Sequence, residues 1–322
     1  MASDLVLVAV GLVALVLAGD ALVRGAVALS LRLGIPALIV SLTVVAFGTS
    51  APEMMVSVVA VVDGVPALAL GNVVGSNIAN VLLVLGLPAL MVSIRTDEGD
   101  YRRDYIFMLG VTVLFIGLAF AGPIRWPQAL LLLGLLVAMM TSQVRAAVTF
   151  RARPPVPGEE DIELVASPVP MPGLRMGLLL ALGLVGLPLG AHFLVEGATG
   201  IARGFGISEA VIGLTLVAVG TSLPELATSV AAAVKGRADV ALGNVIGSNI
   251  FNVLAIVGVA GLLGPLPMPP QLLHFDLWVM LAASLLLGPI VFRGLPIGRG
   301  SGAVLVAAYA GYLGALALGV GQ

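Results

Sequence analysis

The sequence predicts an all-α integral membrane protein with ten transmembrane helices, laid out as two inverted five-helix repeats with broken helices at the membrane midplane. Three observations predict this. The 322 residues are 60% hydrophobic and only 10% charged, with a mean hydropathy of +1.16. A soluble domain carries about 25% charged residues, so a surface this poor in charge suits lipid as its solvent. Apolar runs long enough to cross a bilayer, about 20 residues each, recur along the whole chain. Finally, a 42-residue block returns at a constant offset of 172 positions with 25 identities.

The spans read, in order, at 4–29, 36–62, 66–92, 104–121, 127–149, 174–202, 207–234, 238–263, 275–292 and 301–319. The first opens on Met1-Ala-Ser-Asp4, with an acid where a secretory leader carries its positive charge, so it reads as a retained helix. After the fifth span the chain turns polar and proline-rich from Arg151 through Gly173, the composition of a linker. The expected organisation is a first repeat at 1–150, a linker at 151–173 and a second repeat at 174–322. The net charge of -2 offers nothing to a nucleic acid, and the absence of cysteine excludes disulfides and thiolate chemistry.

The repeated block is VAFGTSAPEMMVSVVAVVDGVPALALGNVVGSNIANVLLVLG at 45–86 and VAVGTSLPELATSVAAAVKGRADVALGNVIGSNIFNVLAIVG at 217–258. Its identities include Gly, Thr, Ser, Pro, Glu and Asn, which shared hydrophobicity does not produce, so it is an internal duplication. With five spans per half, the second copy enters the membrane upside down. Inverted repeats of this kind place their sites at mid-bilayer, where the copies meet. Of the 15 basic residues only Arg125 and Arg203 fall on the outer side if the N-terminus is outside. The excess of positive charge therefore predicts both termini outside, the 151–173 linker cytoplasmic and the cell (inner) membrane as location.

Four carboxylates stand out within the spans: Asp20, Glu53, Glu196 and Glu225. A charge at the bilayer centre costs several kcal/mol, so each needs a partner or a purpose. Glu53 and Glu225 occupy equivalent positions, and together offer two negative charges and up to four oxygens, which suits one Ca2+ or a few Na+. Each follows a proline, in Gly48-Thr-Ser-Ala-Pro-Glu53 and Gly220-Thr-Ser-Leu-Pro-Glu225. Proline lacks an N–H and clashes with the carbonyl four residues back, so both helices should break there and free carbonyls for a hard cation. Thr49, Ser50, Thr221 and Ser222 add hydroxyls at the same breaks. The competing reading is a proline kink with a hydrogen-bonded glutamate.

The following span of each half carries a polar stripe, Asn72, Ser76 and Asn80 in one copy and Asn244, Ser248 and Asn252 in the other, spaced to share one helix face. Ser76, Asn80, Ser248 and Asn252 are candidate neutral ligands. Asn72, Asn77, Asn244 and Asn249 fit interhelical hydrogen bonding better. Gly71 with Gly75, and Gly243 with Gly247, are small-xxx-small pairs suited to close helix packing. Asp20 with Arg24, and His192 with Glu196, are one helical turn apart and read as in-helix ion pairs near an interface, with a latch on a moving helix pair as the sharper alternative. His274 reads as interfacial.

The paired GTSxPE and GNxxGSNxxN segments resemble the two alpha repeats of the cation/calcium exchanger superfamily, in its prokaryotic Na+/Ca2+ exchanger branch, with alpha-1 at 45–86 and alpha-2 at 217–258. The resemblance implies a core of eight helices with the first and sixth spans sliding across it as a gate. It implies Glu53 and Glu225 as Ca2+ ligands together with the carbonyls of Thr49 and Thr221. It further implies Na+ sites at the Ala46 carbonyl, Ser50 and Ser76 on one side, and at the Ala218 carbonyl, Ser222 and Ser248 on the other, with Asn80 and Asn252 facing each other in the middle. K+-dependent relatives carry aspartate at the Asn252 position, so asparagine there argues against K+ use.

The expectation is a secondary antiporter exchanging Ca2+ for Na+, working as a monomer, with the transported ions as its substrates and no cofactor. No P-loop is present to supply nucleotide energy. Exchange of Ca2+ for H+ through the same glutamates is the runner-up. An intramembrane hydrolase is disfavoured, because neither HExxH nor GxGD occurs and His192 and His274 are not duplicated with the symmetric site.

Overall fold

The computed structural model describes residues 2–96, 101–151, 171–205 and 218–319. Among these residues every regular element is a helix. The helices are α1 (Ala2–Leu33), α2 (Ala37–Thr49), α3 (Ala51–Val62), α4 (Pro66–Met91), α5 (Arg102–Ala121) and α6 (Trp126–Arg151). After the linker come α7 (Gly173–Gly204), α8 (Ala218–Thr221), α9 (Leu223–Val234), α10 (Ala238–Leu263), α11 (Leu272–Arg293) and α12 (Arg299–Ala317). Eight of these are long and apolar enough to cross a membrane, and α2 with α3, bent by 44°, would make a ninth span. The remaining expected span is represented by α8 and α9, since residues 206–217 fall outside the described set, as do linker residues 152–170.

The outside of the bundle is apolar. Leu17, Met55, Val137 and Val304 each expose more than 60% of their surface, which hydrocarbon tolerates and water does not. The inside is organised on α4 and α10. Along α10 every residue from Val240 to Phe251 is buried, although the stretch contains Asn244, Ser248 and Asn249. Such polar groups are stable in an interior only where they are hydrogen-bonded or bind a ligand.

Equivalent helices meet equivalent helices. α1 and α7 lie along one another: Gly11 faces Leu194, Leu15 faces Gly190, Ala18 faces Gly186, Leu22 faces Gly183 and Gly25 faces Leu180. Ascending numbers in one helix meet descending numbers in the other, so the two are antiparallel. A β-carbon at Gly11 would stand 2.5 Å from the Leu194 nitrogen, so the backbones approach to a distance only glycine allows. Two isolated antiparallel bridges, Ile94 with Ile297 and Ile124 with Leu266, tie loops of the two halves together at near-equivalent places.

The α10 glycine pair packs as expected. A β-carbon on Gly243 would meet the Ser41 side chain at 2.9 Å, and one on Gly247 the Ala46 β-carbon at 2.6 Å. For Gly71 and Gly75, no described atom comes within 4 Å of a β-carbon built there. Residues 209–217, which the offset places opposite them, lie outside the described residues.

Candidate cation site

The site is assembled from two helix breaks and two polar stripes. At each break one serine leaves helical geometry, Ser50 at φ -80°, ψ 6° and Ser222 at φ -88°, ψ 6°, and a new helix starts on the next residue with proline in its first turn. That placement follows from the chemistry of proline, which costs least where the N–H would be unpaired anyway. Glu53 and Glu225 thus stand in the first turn of α3 and α9, where the helix dipole favours negative charge.

Both glutamates are fully buried, and neither forms a salt bridge with a cationic side chain among the described residues. Ser50 Oγ donates to Glu225 Oε1 at 3.2 Å, so the break of the first copy touches the carboxylate of the second. Thr49 Oγ1 donates to Asn244 Oδ1 at 3.1 Å and lies 3.5 Å from Ser248 Oγ, again across the copies. It also lies 3.3 Å from the Ala46 carbonyl, which accepts the Ser50 N–H at 3.1 Å.

Asn72 and Asn244 bind their own copy's glutamate helix. Asn72 Nδ2 donates to the Glu53 carbonyl at 3.1 Å and to Ser57 Oγ at 3.0 Å. Asn244 Nδ2 donates to the Glu225 carbonyl and to Ser229 Oγ, both at 3.3 Å. Between α4 and α10 the copies meet directly. Asn77 Nδ2 donates to the Asn249 carbonyl at 3.3 Å, and Asn249 Nδ2 to the Asn77 carbonyl at 3.4 Å. Asn80 Nδ2 donates to Asn249 Oδ1 at 3.0 Å, and Asn252 Nδ2 to Asn77 Oδ1 at 2.9 Å. Every one of these contacts has its partner at an offset of 172, so a local two-fold axis runs between Asn77 and Asn249. Asn80 and Asn252 each open a widened π turn, Asn80–Val84 and Asn252–Ile256, a distortion common at functional sites.

What is left over is a set of buried oxygens. Both oxygens of Glu53, Oε2 of Glu225, Oδ1 of Asn80, Oδ1 of Asn252 and the Ser222 hydroxyl have no hydrogen-bond partner among the described residues. An unsatisfied buried polar atom costs about 1–3 kcal/mol, and more if charged. These six belong to residues expected from the sequence to be ligands; the Thr228 hydroxyl, likewise unpartnered among the described residues, does not. Oxygen-only donors, two of them carboxylates and the rest neutral, match a hard cation such as Ca2+ or Na+. Among the described residues no cluster of three or more His, Asp or Glu offers a conventional metal centre.

Some polar groups were not singled out from the sequence. Ser57 and Ser229 complete the glutamate-helix contacts and are identical between the copies, a signal that was there to be used. The buried Thr228 hydroxyl has no partner among the described residues, and its equivalent is Val56, so duplication could not flag it. Asp276 is buried near the start of α11 and accepts from the Tyr312 hydroxyl at 2.9 Å. Away from the centre, Asp20 pairs with Arg24 as expected, at 2.8 Å, and also with Lys235 at the end of α9. His192 and Glu196 stand 3.5 Å apart, and His274 is exposed.

Comparison with known proteins agrees with this geometry. The model of the sodium/calcium exchanger protein family matches residues 3–145 and 176–318, once in each half. The chain is 39% identical over 314 residues to the putative antiporter CaxA of Alkalimonas amylolytica, covering 95% of this chain and 96% of that one. It is 34% identical over 334 residues to the sodium/calcium exchanger MaX1 of Methanosarcina acetivorans, covering 94% and 95%. Among solved structures, the sodium-calcium exchanger NCX_Mj soaked with Na+ and Sr2+ superposes with a TM-score of 0.80 at 31% identity, covering 98% of both chains. The chain therefore belongs to the sodium/calcium exchanger family, and is a multi-pass membrane cation/Ca2+ exchanger that works without a cofactor rather than an enzyme.

Proposed function

We propose that this protein exchanges Ca2+ for Na+ by alternating access, with both ions competing for one set of oxygens at the junction of two inverted five-span repeats. The observation that carries the reading is the pair of fully buried glutamates, Glu53 and Glu225, with three of their four oxygens unpartnered among the described residues and the fourth held by the opposite copy's Ser50. Ca2+ takes Glu53 and Glu225 with the carbonyls of Thr49 and Thr221. Na+ takes Ser50, Ser76 and the Ala46 carbonyl on one side, and Ser222, Ser248 and the Ala218 carbonyl on the other. Asn80 and Asn252 serve the middle position.

The coupling rests on charge. Two ionised carboxylates in a low-dielectric interior are costly unless compensated. One Ca2+ or several Na+ neutralise them, and only the neutralised site closes and reopens on the other face. Each ion thereby stabilises the occluded state that the empty site does not reach. We place both termini outside and the 151–173 linker in the cytoplasm, from the distribution of basic residues, and take the functional unit to be the monomer in the cell membrane. Proton coupling is the competing reading, since two buried carboxylates with no cationic partner among the described residues can also be neutralised by protons.

Proteoliposomes loaded with 45Ca2+ test the assignment. External Na+ should release the label while external choline or K+ should not. Release that is indifferent to Na+ and complete on external acidification would replace Na+ by H+ as the counter-ion.

A further inference from the structure

At the centre of the molecule four asparagines close on one another across the local two-fold axis. Asn77 and Asn249 each donate an amide N–H to the other's backbone carbonyl, at 3.3 and 3.4 Å. Their side-chain oxygens accept from Asn252 at 2.9 Å and from Asn80 at 3.0 Å. The orientation of all four amides follows from the two carbonyls. A backbone carbonyl only accepts, so the atom that Asn77 or Asn249 turns toward it must be nitrogen. The oxygen of each then faces Asn252 or Asn80, which must answer with nitrogen. Reversing any one amide sets oxygen against oxygen or nitrogen against nitrogen. The consequence lies at the outer ends of the chain of bonds, where Asn80 Oδ1 and Asn252 Oδ1 are left buried and without a partner among the described residues.

We propose that Asn77 and Asn249 are positioning residues, which bind no ion themselves but hold the Asn252 and Asn80 amides so that a cation meets two oxygens and never an NH2 group. The proposal rests on the reading of the site given above. The physical need is plain. The terminal torsion of asparagine is broad and roughly two-fold, so its amide has no strong preference of its own for oxygen or nitrogen forward. A forward NH2 would put positive partial charge against the cation. An outer partner that fixes one orientation removes that state, as groups behind metal ligands do elsewhere at 10- to 100-fold in affinity. Each positioning asparagine acts on the ligand of the opposite copy, so the two halves of the site are set by each other.

A double-mutant cycle tests this, read as the Ca2+ concentration giving half-maximal Na+-dependent exchange and as the Ca2+-dependent rise in Tm. Asn77→Ala frees the Asn252 amide to turn, and should weaken Ca2+ by roughly tenfold or more. In an Asn252→Asp background the carboxylate has two equivalent oxygens and no wrong way round. There Asn77 Oδ1 faces a carboxylate that cannot donate to it, so Asn77→Ala should cause no loss of Ca2+ affinity. Equal losses in both backgrounds, or no loss in either, overturn the proposal, because a merely structural asparagine would not be rescued by a change of ligand chemistry. Should Asn77→Ala fail to fold, Asn249→Ala with Asn80→Asp is the symmetric cycle and decides the question by the same criteria. An unaltered protein that neither binds nor exchanges Ca2+ would overturn the site assignment itself, and this proposal with it. A protein that exchanges Ca2+ normally but shows equal losses overturns the positioning role alone.

Discussion

Replacing either glutamate by glutamine removes one of the two charges on which the site depends. Glu53 is the cleaner case, because neither of its oxygens has a partner among the described residues and it is wholly buried. Glutamine keeps the shape and helix propensity but presents an NH2 group where a cation would sit. Two unit charges about 4 Å apart interact by roughly 4 kcal/mol at an effective dielectric of 20, and a directly bound ion is closer still. Removing one partner of a buried charge pair costs about 3–5 kcal/mol, which corresponds to a loss of about 10²- to 10³-fold or more in Ca2+ affinity. Without ions the sign reverses. The mutant no longer buries an uncompensated carboxylate, so apo Glu53→Gln should melt at or above the apo unmodified protein. The assay is Tm in detergent with and without Ca2+, alongside 45Ca2+ exchange in liposomes. Ca2+ should raise the Tm of the unmodified protein by mass action, and leave Glu53→Gln and Glu225→Gln unmoved and inactive. A glutamine variant that still exchanges Ca2+ and is still stabilised by it would refute the reasoning, and leave the carboxylate as a hydrogen-bonded feature of a kinked helix.

Three further outcomes follow from the same geometry. Asn252→Asp adds a charge where Oδ1 has no partner among the described residues, and should shift competition among Na+, K+ and Ca2+; unchanged competition in flux assays would place Asn252 outside the ion shell. Gly247→Ala forces a β-carbon to 2.6 Å from that of Ala46. Overpacking costs about 1–3 kcal/mol, so this change should lower Tm by several degrees, and an unchanged Tm would contradict the packing described. Glu53 and Glu225 supply two negative charges, and the C-terminal ends of α2 and α8 at the two breaks, about half a negative charge each, can with the carbonyls there offset a third Na+. Exchange should therefore be electrogenic, and a rate that is independent of membrane potential with a Na+ dependence fitting two ions would exclude three Na+ per Ca2+.

How far the amino-acid sequence could be read depended on duplication. Glu53 and Glu225, and the stripes ending at Asn80 and Asn252, stood out because each occurs twice with its neighbours, and the paired breaks followed from proline chemistry at Ser50 and Ser222. Asn77 and Asn249 were legible as polar helix contacts, but their mutual pairing depends on α4 and α10 crossing at that level, which one chain's spacing does not encode. Thr228 was invisible to the repeat argument because the first copy has Val56. Lys235 joins Asp20 from a helix more than 200 residues away, so the in-helix partner Arg24 was the only one that periodicity could supply. The glycine contacts of α1 with α7 depend in the same way on antiparallel packing rather than on local pattern.

The central claim is that a Na+ gradient, through these two glutamates, drives Ca2+ against its own gradient. Purified protein in liposomes loaded with Na+ and diluted into Na+-free medium containing 45Ca2+ tests it most directly, with matched K+ and pH gradients as parallel arms and Glu53→Gln as the inactive control. The account predicts concentrative Ca2+ uptake from the Na+ gradient alone, none from K+, and none in the control. Full uptake from a pH gradient with no Na+ present, or uptake that survives Glu53→Gln, would contradict it.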